Sequence, residues 1–166
     1  MNMLRVWGGG IYEQDFFYHL ADSLGILIWQ DFMFAGTMYP GHESFLTSVK
    51  EEASHQLKRL RVHPSLALWC GNNEINIAWK NWGWQKQYGY SEKDSAGIWS
   101  DYIKLFHEMI PQQVERLDPV RSYWASSPSI GWGHKESLLQ GDSHYWGVWW
   151  GMEPFETYVK KTGRFM

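Results

Sequence analysis

Apolar and polar positions follow one repeating order along this chain: a short apolar run, a polar exit, then an amphipathic stretch. Leu4-Arg5-Val6-Trp7 reads as a strand running into Gly8-Gly9-Gly10. Gln14 to Leu24 has helical spacing, with Phe17, Leu20, Ala21 and Leu24 as its apolar face and Gly25 as its stop. Ile26-Leu27-Ile28-Trp29 is apolar without interruption, as in a strand buried on both faces of a parallel sheet. Helix is predicted from Glu43 to Arg61, where Phe45, Val49, Ala53, Leu57 and Leu60 share a face; His63-Pro64 ends it. Leu66 to Cys70 is a third strand. Asn76 to Asp94 is expected as a long polar and aromatic insertion. Helical spacing returns from Ser95 to Leu117, with Pro111 kinking it or opening a second piece. Ser122 to Ala125 and Asp142 to Trp146 read as the fourth and fifth strands. A short helix is expected within Glu153 to Lys161.

Repeated strand–helix units imply parallel strands covered by helices. Every polar cluster falls where a strand ends: Arg5 and Trp7, Asp31, Asn73 and Glu74, Ser126 and Ser127, His144 and Tyr145. Such clustering marks the active face of a (β/α)₈ barrel. The competing doubly wound sheet normally carries a glycine-rich phosphate turn that opens a helix. Gly8-Gly9-Gly10 lacks that spacing and is followed by Tyr12 and Glu13.

The chain has 166 residues, enough for a sizeable core, and a net charge of −3. It contains no block of like charge, so no nucleic-acid footprint or membrane-surface patch is visible. Its longest apolar stretch is too short to span a bilayer. The single cysteine, Cys70, excludes an intrachain disulfide and reads as a small packing residue. The seven histidines are scattered without metal-ligand spacing, and no metal or cofactor is implied. The aromatic content is high, with 12 Trp, 9 Tyr and 8 Phe. Many Trp adjoin glycines and polar groups, as in Trp79-Lys80-Asn81-Trp82-Gly83-Trp84. Each indole N–H needs a partner, so they cannot all lie in a dry core. Open aromatic faces lining a cleft suit the apolar C–H face of a pyranose; a protein interface or large loops packed on themselves are the alternatives.

Chemistry concentrates in Leu66-Ala67-Leu68-Trp69-Cys70-Gly71-Asn72-Asn73-Glu74. An apolar strand here ends in two amides and a carboxylate. Glycoside hydrolysis needs an acid to protonate the leaving oxygen and a neighbour to hold the sugar hydroxyl beside the reacting carbon. An edge strand with a polar exit turn is the alternative, although Glu is a poor turn residue.

These segments resemble the catalytic barrel of β-mannosidases in glycoside hydrolase family 2. The resemblance rests on Leu4 to Glu13, Trp29-Gln30-Asp31-Phe32-Met33, Trp69 to Glu74, His144 to Trp149, and Gly163-Arg164-Phe165-Met166. It implies an α/β fold, a partial TIM barrel of about strands two to six with their helices. The whole chain, 1–166, would then be a piece of one catalytic barrel domain without the family's accessory β-domains. Glu74 would be the general acid/base, and Asn73 would hydrogen-bond the sugar 2-hydroxyl. Arg5 would sit near the nucleophile and help keep it ionised. Trp7 and Trp82 would wall the sugar subsite, with Tyr145 and His144 approaching from the sixth strand; Asp31 and His144 read equally as direct contacts or as structural hydrogen-bonding residues behind the site. The family nucleophile, a Glu in a Ser-Glu-(Phe/Tyr)-Gly segment, is expected just beyond Met166. Glu153 and Glu156 are poor substitutes, since neither follows a strand.

The expected partner is a β-mannoside, with no nucleic acid and no membrane. A β-galactosidase, β-glucuronidase or exo-glucosaminidase would share the enzyme class. A carbohydrate-binding module would use the Trp clusters alone, but has no need of Glu74 beside Asn73.

Overall fold

Four of the five expected strands form, and all pair in parallel. The computed structural model describes residues 1–161. The run Gly163-Arg164-Phe165-Met166 lies outside the described residues. The sheet order is β1 (Met3–Val6), β2 (Leu27–Asp31), β3 (Leu66–Cys70) and β4 (Ser122–Trp124). Arg5 pairs with Trp29, Gln30 with Trp69, and Cys70 with Trp124, so the strand ends stay level. Helix α1 (Asp15–Leu24) joins β1 to β2, and α2 (Glu43–Leu60) joins β2 to β3. The arrangement is an α/β fold consistent with part of a (β/α)₈ barrel.

The core lies between the sheet and its helices. Ile28, Trp69 and Phe32 meet Leu57, Leu60, Tyr18, Phe106 and Ile110, all almost fully buried. Helix α2 carries the predicted face: Val49, Ala53, Leu57 and Leu60 are buried. Helix α1 ends at Gly25 as expected, with φ 65°, but it is rotated from the expected face. Tyr18 and Ala21 are buried, whereas Leu20 and Leu24 are 45% and 62% exposed. The Tyr18 hydroxyl donates to the buried Gln30 Oε1 at 2.5 Å, and that bond sets the rotation. Phe16, Leu20 and Leu24 consequently form an outward apolar stripe.

Two further expectations are corrected. Asn76–Asp94 is not a loop: α3 (Ile75–Asn81) and α4 (Trp84–Gln87) occupy most of it, and α5 (Glu92–Ile103) begins before its end. Ala78, Trp79 and Trp84 form a small buried cluster, and Trp79 stacks on Trp99. Helix α5 starts with a capping box in which Ser91 and Asp94 satisfy each other's backbone N–H. It runs into a π-helical turn, Lys104–Met109, before α6 (Ile110–Leu117). Pro111 sits in the first turn of α6, as the second of the two expectations for that proline had it. It lacks an N–H and crowds the carbonyl four residues back, which accounts for the wide turn before it.

The fifth strand, 142–146, does not form. That segment is attached to the exit of β4 by side chains. Asp142 accepts from Trp124 Nε1 (3.0 Å), Ser127 Oγ (2.5 Å) and the Ser129 backbone N–H (2.7 Å). Only Thr157–Lys160, α7, is helical in the last expected helix.

Candidate active site

The strand exits converge. Beyond β3, the Asn73 N–H donates to the Phe34 carbonyl and the Glu74 N–H to the Ser127 carbonyl. Isolated bridges pair Asn73 with Ala35 on one side and Ser127 on the other. The β3 exit is thereby held between its neighbours. Gly71 is required there: a Cβ would lie 2.5 Å from the Ala125 carbonyl oxygen. Asn72 is wholly buried and binds the Ala125 carbonyl, Ser126 Oγ and the Ile75 N–H. It ties β3 to β4 and caps α3, which leaves Asn73 and Glu74 to face outward.

Glu74 itself adopts the left-handed conformation, φ 63° and ψ 2°. Such a conformation strains a residue with a Cβ and tends to occur where a side chain must be aimed. Its Oε1 lies 2.8 Å from His144 Nδ1. The other ring nitrogen of His144, Nε2, is 2.8 Å from Arg5 Nη1. A guanidinium only donates, so Nε2 accepts and the ring proton sits on Nδ1, directed at Glu74. The same logic orients Asn73. Its Oδ1 accepts from Arg5 Nη2 at 3.2 Å, so its NH₂ faces Glu74 and the cavity.

Arg5 is fixed from behind by Asp31. Asp31 accepts from Arg5 Nε (3.1 Å) and Nη2 (2.8 Å), from the Gly8 N–H and from Trp29 Nε1. Gly8 fits against β2 because it lacks a Cβ, which would meet the Phe32 and Phe34 carbonyls at 2.7 Å. Burial opposes the charge on Arg5, but the ion pair with Asp31 outweighs it and holds the guanidinium above its ordinary value. Asp31 is wholly buried and reaches no cavity. Of the two readings of Asp31, the structural hydrogen bond is the one seen: it positions Arg5.

Burial likewise pushes the Glu74 carboxyl upward. The His144 N–H, with smaller help from Trp146 and Asn73, more than reverses this and leaves it below its ordinary value. Glu74 is therefore an ionised acceptor in this arrangement.

Two cavities meet at Glu74. The larger, about 820 Å³, is lined by Arg5, Trp7, Asn73, Glu74, His144 and Tyr145, among others. The smaller, about 380 Å³, is lined by Glu74, Trp82, Trp132, His134, His144 and Trp146 with neighbouring residues. Trp7 lines the first cavity and Trp82 the second, and Glu74, His144 and Trp146 line both. Tyr145 joins the first cavity, but from a loop rather than a strand. Its hydroxyl donates to Glu153, which also binds Lys161 and lines neither cavity. A third groove, beside Lys50, Lys58 and Arg116, lies on the outer faces of α2 and α6.

Sequence reading placed Ser127 at a strand exit and Asp142 at the start of a strand, but gave neither a role in the site. Ser127 Oγ lies 3.0 Å from His144 Nε2, so Ser127, His144 and Glu74 stand in the order of an acyl-transfer triad. That chemistry is not available here. Ser127 is 1% exposed, its proton is committed to Asp142, and Nε2 already accepts from Arg5. Sequence spacing also missed a cluster of metal-ligand type, His19, Asp22 and His63, whose donor atoms lie within 4.8 Å of one another. Asp22 there accepts from His63 Nδ1 (2.6 Å) and the Ser65 N–H (2.9 Å), which accounts for it as a brace between α1 and the start of β3. No helix is long and apolar enough to cross a membrane among the described residues.

Comparison with known proteins agrees with this geometry. No family model matches the chain. It is 44% identical to the β-mannosidase of Rattus norvegicus over 156 residues, which is 88% of this chain and 17% of the rat protein. It is 37% identical to β-mannosidase B of Emericella nidulans over 170 residues, 98% of this chain and 20% of that protein. A crystal structure of β-D-mannosidase from Dictyoglomus thermophilum matches with a TM-score of 0.80 at 47% identity, over 99% of this chain and 19% of that one. A Bacteroides uniformis β-glucuronidase shares the fold at a TM-score of 0.60 and 19% identity, over 74% of this chain and 13% of that one. The relatives whose sequence and parallel-sheet fold the chain shares are glycosidases. Within that class it is homologous to the β-mannosidases. It spans about a fifth of the length of the relatives it matches.

Proposed function

We propose that this chain is the acid/base-bearing part of a retaining, exo-acting glycosidase that hydrolyses terminal β-D-mannosides. The observation that carries the reading is the Arg5–Asn73–Glu74–His144 constellation, three residues from β1 and the exit of β3 met by one from the loop after β4, in a chain homologous to β-mannosidases. Glu74 is the general acid/base, and Asn73 offers its NH₂ to the sugar 2-hydroxyl. Arg5 and Trp7 shape the glycone side. The reading takes residues 1–166 as about strands two to six of one barrel domain. It places the nucleophile, a Glu in a Ser-Glu-(Phe/Tyr)-Gly segment, outside these residues, and the accessory β-domains likewise.

The depressed Glu74 carboxyl fits this division of labour. A retaining mechanism sets two carboxylates about 5 Å apart. The second negative charge raises the acid's affinity for its proton. A second carboxylate would oppose the lowering that His144 imposes on the Glu74 carboxyl.

The reading is tested by hydrolysis of β-mannosides. The 166-residue chain is expected to turn over none, because it supplies one carboxylate of the two. In a full-length enzyme carrying both, Glu74→Gln should lower turnover of poor-leaving-group mannosides by about 10²–10⁴-fold. Activated aryl mannosides should lose far less, since their leaving group needs little protonation. Equal loss on both substrates would show that Glu74 is structural.

A further inference from the structure

The brace between α1 and the start of β3 uses Asp22 and His63 and leaves two neighbouring groups idle. One is His19. It lies three residues before Asp22 on α1, so the two side chains rise from one helix face. Its ring meets the His63 ring edge-on, with centroids 4.9 Å apart. The other is Ser65. Its N–H holds Asp22 Oδ1 at 2.9 Å. Its hydroxyl finds no hydrogen-bond partner among the described residues, although Ser65 is only 5% exposed. Burial pushes the Asp22 carboxyl up, and the Ser65 hydroxyl leads the groups that outweigh it and hold it below its ordinary value. Ser65 Oγ therefore stands beside the carboxylate without being aligned to it. A buried hydroxyl in that state carries a cost that a ligand at the cluster would relieve.

The ligand types suit a cation. Two imidazoles and a carboxylate, their donor atoms within 4.8 Å of one another, are the set taken by zinc and its neighbours in the first transition row. Calcium and magnesium prefer oxygen ligands throughout. Around a tetrahedral zinc the ligand atoms stand about 3.3 Å apart, at bonds of about 2.0–2.1 Å. His19 is exposed and can close the difference by rotating its side chain. His63 is already fixed: it is 4% exposed, packs on Tyr18 and gives its carbonyl to Arg121 Nη2 at 2.8 Å. Asp22 keeps Oδ1 on the Ser65 N–H and turns Oδ2 to His63 Nδ1, which donates to it at 2.6 Å. A metal enters between Oδ2 and Nδ1. The Nδ1 proton first moves to Nε2 in a neutral ring, or to solvent from an imidazolium.

We propose that His19, Asp22 and His63 form a binding site for one divalent transition cation of zinc type, with a water as fourth ligand hydrogen-bonded to Ser65 Oγ. The cation fastens α1 to the start of β3. It takes no part in glycoside chemistry, since Ser65 precedes β3 and Glu74 follows it at the opposite end. The site is thus independent of the glycosidase reading.

The test uses the 166-residue chain without a histidine tag, stripped of metal by a chelator, with Zn(II) as the probe. Calorimetric titration should show one equivalent bound, and the melting temperature should be higher in Zn(II) than in chelator. His19→Ala removes an exposed ligand that lies outside the brace, so it should fold. It is expected to weaken Zn(II) binding by at least about tenfold and to abolish the zinc-dependent rise in melting temperature. That rise is taken within each variant, so any packing effect of His19 cancels. Ser65→Ala should weaken Zn(II) by about tenfold through the lost partner of the water. His55→Ala, an exposed histidine on α2, should change nothing. Absence of Zn(II) binding to the unaltered chain overturns the site. So does undiminished binding in His19→Ala, or an equal loss in His19→Ala and His55→Ala, which would mark scattered surface binding. Undiminished binding in Ser65→Ala overturns the place of the water.

Discussion

Residues 3–117 and residues 122–161 both bring polar side chains to the same rim, but they are built differently. In the first region β1, β2 and β3 hold register through backbone ladders and are backed by α1, α2 and α6. In the second, a three-residue β4 gives way to loops whose position depends on the Asp142 carboxylate and its three donors. The first region places Arg5, Asn73 and Glu74; the second brings His144, Tyr145 and Trp146 to meet them. Backbone ladders distribute geometry over many bonds, whereas a side-chain hub concentrates it in one group. The rim at the strand exits therefore joins a robust half to a half that one substitution can loosen.

Leu57→Ala tests the robust half and should have the largest effect on stability. Leu57 is fully buried against the sheet, so its truncation should cost about 2–5 kcal/mol and lower the urea midpoint for the whole chain. A midpoint shift confined to probes in residues 122–161 would break the comparison.

Asp142→Ala addresses the other half. It leaves three donors, the buried Ser127 hydroxyl among them, without their acceptor, at a cost of about 1–3 kcal/mol. Amide hydrogen exchange should rise across 124–146 while β1–β3 remain protected. Uniform exchange throughout would mean that the two halves share one cooperative scaffold.

Glu74 sits on the seam, and its backbone strain can be measured by itself. Glu74→Gly and Glu74→Ala both remove the carboxylate. The glycine variant should nevertheless be the more stable by about 1 kcal/mol, the reverse of the usual helix order, because only glycine accepts φ 63° without strain. Chemical denaturation of the pair decides it.

The smallest effect is the pH dependence. A depressed carboxyl stabilises the fold when ionised. That contribution is complete above the ordinary value of 4.5 and is lost as pH falls through the lower folded value. The stability difference between the unaltered chain and Glu74→Gln should therefore shrink in acid below about pH 4.5. A difference that stays constant from pH 7 to 3 would remove the His144 contact from the account.

Much of this was legible in the residue order. Apolar runs and amphipathic stretches marked β1 to β4, α1 and α2 because burial on a sheet demands those periods. Strand exits marked Arg5, Asn73 and Glu74 because polar groups cannot continue a buried strand. The Ser91/Asp94 capping box was also present, and would have placed the start of α5. Other features have no local signature. The helical state of 75–87 depends on Trp79 and Trp84 finding Trp99. The rotation of α1 depends on Gln30, which is contributed by another element. Asp31 looked like Glu74, a carboxylate after a strand, yet one is buried behind Arg5 and the other opens onto two cavities. By itself the sequence determined which side chains could do the chemistry and which end of the sheet they would reach, since both follow from period and punctuation. Only the tertiary structure decided what each one faces: the proton on His144, the flip of Asn73, the separation of Trp7 from Trp82, and the replacement of a fifth strand by the Asp142 hub. Those outcomes are set by partners far away in sequence, where a hydrogen-bond donor 2.8 Å away outweighs any local propensity.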